Sequence, residues 1–215
     1  MHSPLPHGSP QRHTLDIGGF RILMETVPDF DAVLDHYARH HGSDTDMIPY
    51  YAQLWPSAEA LARHLVERAG RLDGRRVLEL GCGLGLPSLV AARLGAASVL
   101  ATDFHPDNEP YLRRNVAING LTNVAYRQLR WGDPPPGLAA ELVLASDVLY
   151  EAGSVEPLVG CVDALLAPGG LAILTDPGRD HLQAAVNAFR ERGFREETLA
   201  RDNVFVVELR RGQGA

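Results

Sequence analysis

The sequence predicts an α/β domain built on a mainly parallel sheet with helices on both faces. Three observations carry this. The chain has 215 residues, which at roughly 150 residues per domain is one domain with extensions. Hydrophobic residues make up 45% of it, enough for a sizeable core and too many for global disorder. From residue 75 onward, short apolar runs rich in strand formers alternate with helical patterns, and that alternation implies βαβ units.

The elements follow in chain order. Residues 1–13 (MHSPLPHGSPQRH) place Pro, His and Ser where a signal peptide needs an apolar run, and are expected to form a loose tail. Residues 15–25 read as a strand or hairpin and 32–41 as a helix. Residues 57–69 read as a helix, with Leu61, Leu65 and Val66 at helical spacing and Ser57 at its start. With no core of its own, 14–74 is expected to pack as an extension on the domain formed by 75–215.

In that domain, 75–81 (RRVLELG) is a buried strand and 86–94 a helix. Residues 97–103 (ASVLATD) are a second strand, and 106–119 a helix with Pro106 at its first position. A third strand at 123–131 leads into a Pro-rich loop at 133–137, and a fourth at 141–150 (ELVLASDVLY) runs into a loop. A helix at 155–166 is stopped by Pro168-Gly169-Gly170. A strand at 171–176, a helix at 181–192 and a last strand at 204–210 complete the chain. Ligands of such sheets bind beyond the carboxyl ends of the strands, where the polar signals of this sequence fall.

Charge and cysteine content narrow the function classes. Arginine supplies all 20 basic residues against 27 acidic ones, 20 − 27 = −7, which argues against holding nucleic acid by bulk electrostatics. The absence of lysine reads as codon bias in a GC-rich, bacterial genome. Cys82 and Cys161 are too few for a disulfide framework, so a cytoplasmic protein is expected. No apolar run of about 18 residues predicts a membrane span.

Five motifs carry the chemistry. Glu79-Leu80-Gly81-Cys82-Gly83-Leu84-Gly85 sits between a strand and a helix, where glycines permit sharp turns and close approach of a ligand. The G-x-G-x-x-G dinucleotide fingerprint would need glycine at 86, where Leu86 stands. Asp103 ends the second strand, where a carboxylate accepts ribose hydroxyls or caps the following helix. Phe104 beside it either flanks an adenine or joins the core. Trp131, in Leu129-Arg130-Trp131-Gly132-Asp133, either covers a purine or packs internally. In Ser146-Asp147-Val148-Leu149-Tyr150 an acidic residue follows an apolar run. Buried there without partners it would be costly, so Asp147 and Tyr150 are placed at a cleft. The aromatic segment 50–57, with Tyr50, Tyr51 and Trp55, reads as a lid or as a hydrophobic latch. His36, His40 and His41, near Asp44 and Asp46, read as a solvated helix end, and no metal is expected. Cys82 has no identifiable base to make it a nucleophile.

The order LWPSAEALA (54–62), LELGCGLGLPSLVAARLGA (78–96), ATDFHP (101–106), LRWGD (129–133) and SDVLYE (146–151) resembles the family 16 methyltransferases, a class I group that includes many protein lysine methyltransferases. The resemblance covers about 49–193. Pro49-Tyr50-Tyr51 and Asp176-Pro177-Gly178-Arg179 are similar to the lysine methyltransferases of the electron transfer flavoprotein beta subunit, which carry a more glycine-rich segment where Leu54-Trp55-Pro56-Ser57-Ala58 stands here.

The resemblance implies a Rossmann-like sheet of seven strands and S-adenosyl-L-methionine as cofactor, with S-adenosyl-L-homocysteine as product and no metal. It implies a cofactor set of Trp55, Glu79, Gly81, Gly83, Gly85, Asp103, Phe104, Trp131 and Ser146, and Asp147 with Tyr150 as catalytic residues. The expected partner is a protein whose lysine is methylated. The alternatives are a small-molecule or nucleic-acid methyltransferase and a non-catalytic cofactor-binding subunit.

Overall fold

A computed structural model describes residues 9–41 and 47–212, with Arg71 described by its backbone alone. Its centre is a seven-stranded sheet in the order β5-β4-β3-β6-β7-β9-β8. The strands are β3 (Arg76–Leu80), β4 (Ser98–Asp103), β5 (Val124–Gln128), β6 (Ala140–Ser146), β7 (Leu166–Asp176), β8 (Phe194–Arg201) and β9 (Val204–Arg211). The first five in that order are parallel, while β9 runs antiparallel to both β7 and β8. The order reverses between β3 and β6, and this switch point opens a crevice beyond their carboxyl ends.

Side chains alternate across the sheet, as strand geometry requires. Val77, Leu142, Leu144 and Ile173 face a core shared with α2 (Pro56–Glu67) and α3 (Leu86–Arg93). Leu78, Leu80, Val143 and Leu174 face the opposite core, shared with α5 (Val155–Leu165) and α6 (Asp180–Glu191). The helix α4 (Glu109–Ile118) packs near the β4–β5 side.

Ahead of the sheet lie a hairpin, β1 (Gln11–Ile17) and β2 (Phe20–Thr26), and the helix α1 (Phe30–His41). The hairpin turns on Gly18 and Gly19, both at positive φ, a region glycine enters without steric penalty. Its buried Ile17, Ile22 and Met24 belong to the same core as α2 and α3. Two asparagines, Asn115 on α4 and Asn119 at its C-cap, complete the outer edge of β2. Asn115 accepts from Glu25 N (2.7 Å) and donates to Glu25 O (3.2 Å). Asn119 accepts from Leu23 N (3.0 Å) and donates to Leu23 O (2.7 Å).

The structure differs from the sequence reading at several boundaries. β1 starts at Gln11, so residues 11–13 are strand and not tail. Gln11, Arg12 and His13 pair with Thr26, Glu25 and Met24, and Arg12 forms an ion pair with the buried Glu25. Residues 1–8 lie outside the described residues. α4 begins at Glu109, with Pro110 and not Pro106 in its first turn. β5 stops at Gln128 and β6 at Ser146, so Trp131, Asp147 and Tyr150 stand on loops. β8 was not foreseen. It is an edge strand (FREETLAR) with only Phe194 buried, so it lacks the apolar run that marks the inner strands.

Among the described residues no group of three or more His, Cys, Asp or Glu side chains is placed to hold a metal. His36 and His40 stack at the exposed end of α1, and Asp44 and Asp46 lie outside the described residues. No helix among the described residues is long and apolar enough to cross a membrane.

Candidate functional site

The carboxyl ends of β3, β4 and β6 and the segment ahead of α2 line one cleft. It gathers Trp55, Gly81, Gly83, Asp103, Phe104, Trp131, Ser146, Asp147 and Tyr150, and adds Ile48, Tyr50, Tyr51, His105 and Val148. Glu79 and Gly85 stand behind its wall.

The glycine loop is shaped by packing on both sides. Gly81 lies at φ 69°, and a Cβ there would approach Val148 Cγ1 to 2.7 Å. A Cβ on Gly85, at φ 86°, would overlap Leu112. A side chain at either position would push the loop out of its seat. Gly83 N donates to Asp103 Oδ2 (3.0 Å) and His105 N to Asp103 Oδ1 (3.1 Å). Each carboxylate oxygen keeps a further lone pair for a ligand hydroxyl. Burial raises Asp103 above the usual carboxylate range, and the two backbone N–H groups oppose that shift.

Glu79 is fully buried and receives both the backbone N–H (3.0 Å) and the hydroxyl of Ser88, while its Oε1 has no partner among the described residues. Burial pushes it up to about 8, which favours its protonated form, and its bonds to Ser88 tie the loop to the first turn of α3. Burial, with Asp103 and Glu79 nearby, holds the Cys82 thiol well above its ordinary range and therefore protonated.

One wall is aromatic. Trp55 Nε1 donates to Tyr50 O (2.9 Å), and the Tyr50 ring lies 5.0 Å from Tyr150, closing the cleft between the N-terminal segment and the β6 loop. Tyr51 packs 4.5 Å from His105 and exchanges a hydrogen bond with Tyr37 of α1 (3.2 Å), which donates to Asp107. His105 Nδ1 accepts from Asp107 N (3.1 Å), so its proton is on Nε2, facing Met47 O at 3.4 Å. Burial lowers its pKa and keeps the ring neutral. Across the cleft, Arg130 lies 5.1 Å over the Phe104 ring.

Just past the end of β6, Asp147 sits at φ 59°, a conformation Asp and Asn tolerate better than most residues. Its backbone N donates to Thr175 O (2.9 Å). Its Oδ1 forms an ion pair with Arg179, which also bonds Asp176 Oδ2 (3.0 Å). Asp176 in turn accepts from Gly178 N and Arg179 N, both at 2.7 Å. Burial works against the charge on Arg179, but the two carboxylates outweigh it and hold the guanidinium protonated. The sequence motif Asp176-Pro177-Gly178-Arg179 marked this loop, but not its ion pair to Asp147. His105 gave no signal beyond its place in the motif after β4. Tyr37 gave none.

A family model described as lysine methyltransferase matches residues 47–183. The chain is 32% identical over 133 residues to the Danio rerio electron transfer flavoprotein beta subunit lysine methyltransferase, covering 61% of this chain and 51% of that protein. It is 37% identical over 140 residues to the protein N-terminal and lysine N-methyltransferase EFM7 of Eremothecium gossypii, covering 56% and 52%. It is 33% identical over 122 residues to the Xenopus laevis histone-arginine methyltransferase METTL23, covering 54% and 52%. The chain thus spans about half the length of the curated relatives it matches. Among solved structures, the T. thermophilus 16S rRNA methyltransferase RsmC, in complex with AdoMet and guanosine, aligns with a TM-score of 0.68 at 20% identity, over 98% of this chain and 52% of that one. The N-methyltransferase NodS of Bradyrhizobium japonicum, in complex with S-adenosylhomocysteine, aligns with a TM-score of 0.63 at 14% identity, over 84% and 98%. At such identities the likeness concerns the fold.

Proposed function

The chain belongs to the lysine methyltransferase family, and on that premise we propose that it transfers a methyl group from S-adenosylmethionine to a protein side chain, most simply the amine of a lysine. The observation that carries the reading is the single cleft that gathers Gly81, Gly83, Asp103 and Trp131 beside Asp147 and Tyr150.

The cleft fits the cofactor. Gly81 and Gly83 bring backbone to the wall of the cleft, and the Asp103 oxygens keep lone pairs for ribose hydroxyls. Phe104 and Trp131 offer flat faces to an adenine. Trp55 with Tyr50 roofs the cleft, and Ser146 borders it at the end of β6. Glu79 and Gly85 act on the loop from behind. When bound, S-adenosylmethionine supplies an electrophilic methyl on its sulfonium, and S-adenosylhomocysteine leaves.

The residues of the chain supply alignment and exclusion of water. A lysine amine, with a reference pKa of about 10.4, must shed its proton before it attacks, and desolvation on entering the cleft favours the neutral form. Arg179 engages Oδ1 of Asp147, so Oδ2 accepts from the amine, while the Tyr150 hydroxyl orients its lone pair.

Incubating the protein with a lysate and methyl-labelled cofactor, then mapping the label by mass spectrometry, tests the reading. Label on lysine side chains is expected. Label on arginine or histidine would change the acceptor and keep the class. Label found only in small molecules or nucleic acid would overturn protein methylation.

A further inference from the structure

Beside the cleft, past one ion pair, lies a second concave surface. β9 runs antiparallel to β7 and sets Phe205 opposite Asp176, so β9 begins at the same end of the sheet as the cleft. Phe205 and Val207, two apart on β9, share one face of the sheet, and Thr198 of β8 lies directly across from Val207. Leu182 and Val186, four apart on α6, turn to the same place. With Arg179 and Arg190 they line a groove of ≈ 290 Å³. The proposed methyl transfer uses Arg179 and no other part of it.

The charges of the groove are answered within the chain. Arg179 pairs with Asp147 and Asp176, and Arg190 with Glu196. Among the described residues no acidic side chain lines it. What it offers a partner is apolar. Tyr150 and Phe205 are the large hydrophobic side chains exposed among the described residues, at 36% and 40%. Tyr150 lines the cleft three residues after Asp147. Phe205 lies against Gly178, where a Cβ would approach its Cε2 to 2.7 Å. The two therefore flank the Asp147–Arg179 pair. An open aromatic rimmed by arginines, with no acid, has the make-up of a protein interface core, and an apolar surface with a polar rim marks where a partner is held.

The wall between cleft and groove is Arg179, which lines the groove and pairs with Asp147 in the cleft. An extended chain rises roughly 3.3 Å per residue, so a segment with one side chain in the cleft reaches the groove about two to four residues on. We propose that the groove docks the protein being methylated: its lysine enters the cleft, and a large apolar side chain (Leu, Met or Phe) of the same segment packs on Phe205. This rests on the protein-lysine reading above.

Methyl transfer by the full chain, from labelled cofactor into a peptide library with one fixed lysine between randomised positions, tests it. Labelled peptides should be enriched severalfold in Leu, Met or Phe at one position about two to four residues from the lysine. For a peptide of the enriched sequence, Phe205→Ser should raise KM about tenfold or more, with kcat and S-adenosylhomocysteine affinity unchanged. Phe205→Leu, still apolar, should cost far less. If Phe205→Ser does not fold, Thr198→Phe, at an exposed edge-strand position that aromatics suit, fills the groove and should raise KM likewise. Four results overturn the proposal and leave lysine methylation standing: label on lysate proteins but on no peptide, labelled peptides without positional preference, a KM unchanged in a folded variant, or a Phe205→Ser variant that turns a dimer into a monomer, which would make the groove an interface between two copies. Label on no lysine in lysate or library overturns the underlying reading and the proposal with it.

Discussion

Asp147 combines three properties that few residues share. It takes a left-handed backbone conformation, carries a charge with a 6% exposed side chain, and has a cationic partner in Arg179. Asparagine tolerates the same backbone, so Asp147→Asn removes the charge without straining the loop. Asp147→Asn and Tyr150→Phe are each expected to lower kcat/KM for methyl transfer about 10- to 1000-fold, the range of lost positioning. Cofactor affinity should change far less. A comparable loss of cofactor binding in either variant would place these residues on the wrong ligand. Glu79 makes a different prediction. Its folded pKa, about 8, lies above the ordinary 4.5, so the folded state holds a proton that the unfolded chain has lost. The stability this represents is present below pH 4.5 and is lost as pH rises toward 8. Glutamine cannot titrate. Glu79→Gln should therefore flatten the fall in the urea midpoint between about pH 5 and 8, while the raised Asp103 leaves part of the slope in place. Identical slopes in the two proteins would show that Glu79 is already ionised in the fold.

Among the elements, the hairpin depends on α4 for its outer edge. Asn115 serves that edge and also donates to Leu84 O (3.1 Å), so one amide joins β2, α4 and the glycine loop. Asn115→Ala strands Glu25 N and two carbonyls in a buried place. At about 1–3 kcal/mol per orphaned group, partly relieved by relaxation, a loss of roughly 2–4 kcal/mol is expected in chemical denaturation. A loss below about 0.5 kcal/mol, the scale of an ordinary surface change, would mean that the hairpin edge needs no such partner. The inner strands were legible because two-sided burial writes them as continuous Val and Leu runs, such as Val77-Leu78 and Leu142-Val143-Leu144. β8 was hidden because one edge is open to solvent, and Arg195, Glu196 and Glu197 dilute its pattern. The start of α4 was misplaced because Pro106 and Pro110 both suit a first turn, and only tertiary packing chooses between them.

For the whole molecule, the mainly parallel α/β class and the position of the cleft beyond the carboxyl ends of the strands follow from alternating patterns and glycine spacing, both local properties of the chain. Most of the cleft was legible for the same reason. Asp103, Ser146 and Asp147 mark strand ends, and Trp131 and Tyr150 follow close behind. The ion pair of Arg179 with Asp147 and the network of Tyr37, Tyr51 and His105 join distant parts of the chain, and no spacing rule announces them. The central claim is that this cleft holds S-adenosylmethionine and its product, with Asp103 as the ribose partner. Calorimetric titration with S-adenosylhomocysteine tests it most directly. The account predicts one saturable site per chain, no comparable binding of NAD, and an affinity about 5- to 150-fold weaker in Asp103→Ala, the equivalent of about 1–3 kcal/mol. Absence of S-adenosylhomocysteine binding, preference for NAD, or an unchanged affinity in a folded Asp103→Ala variant would contradict it.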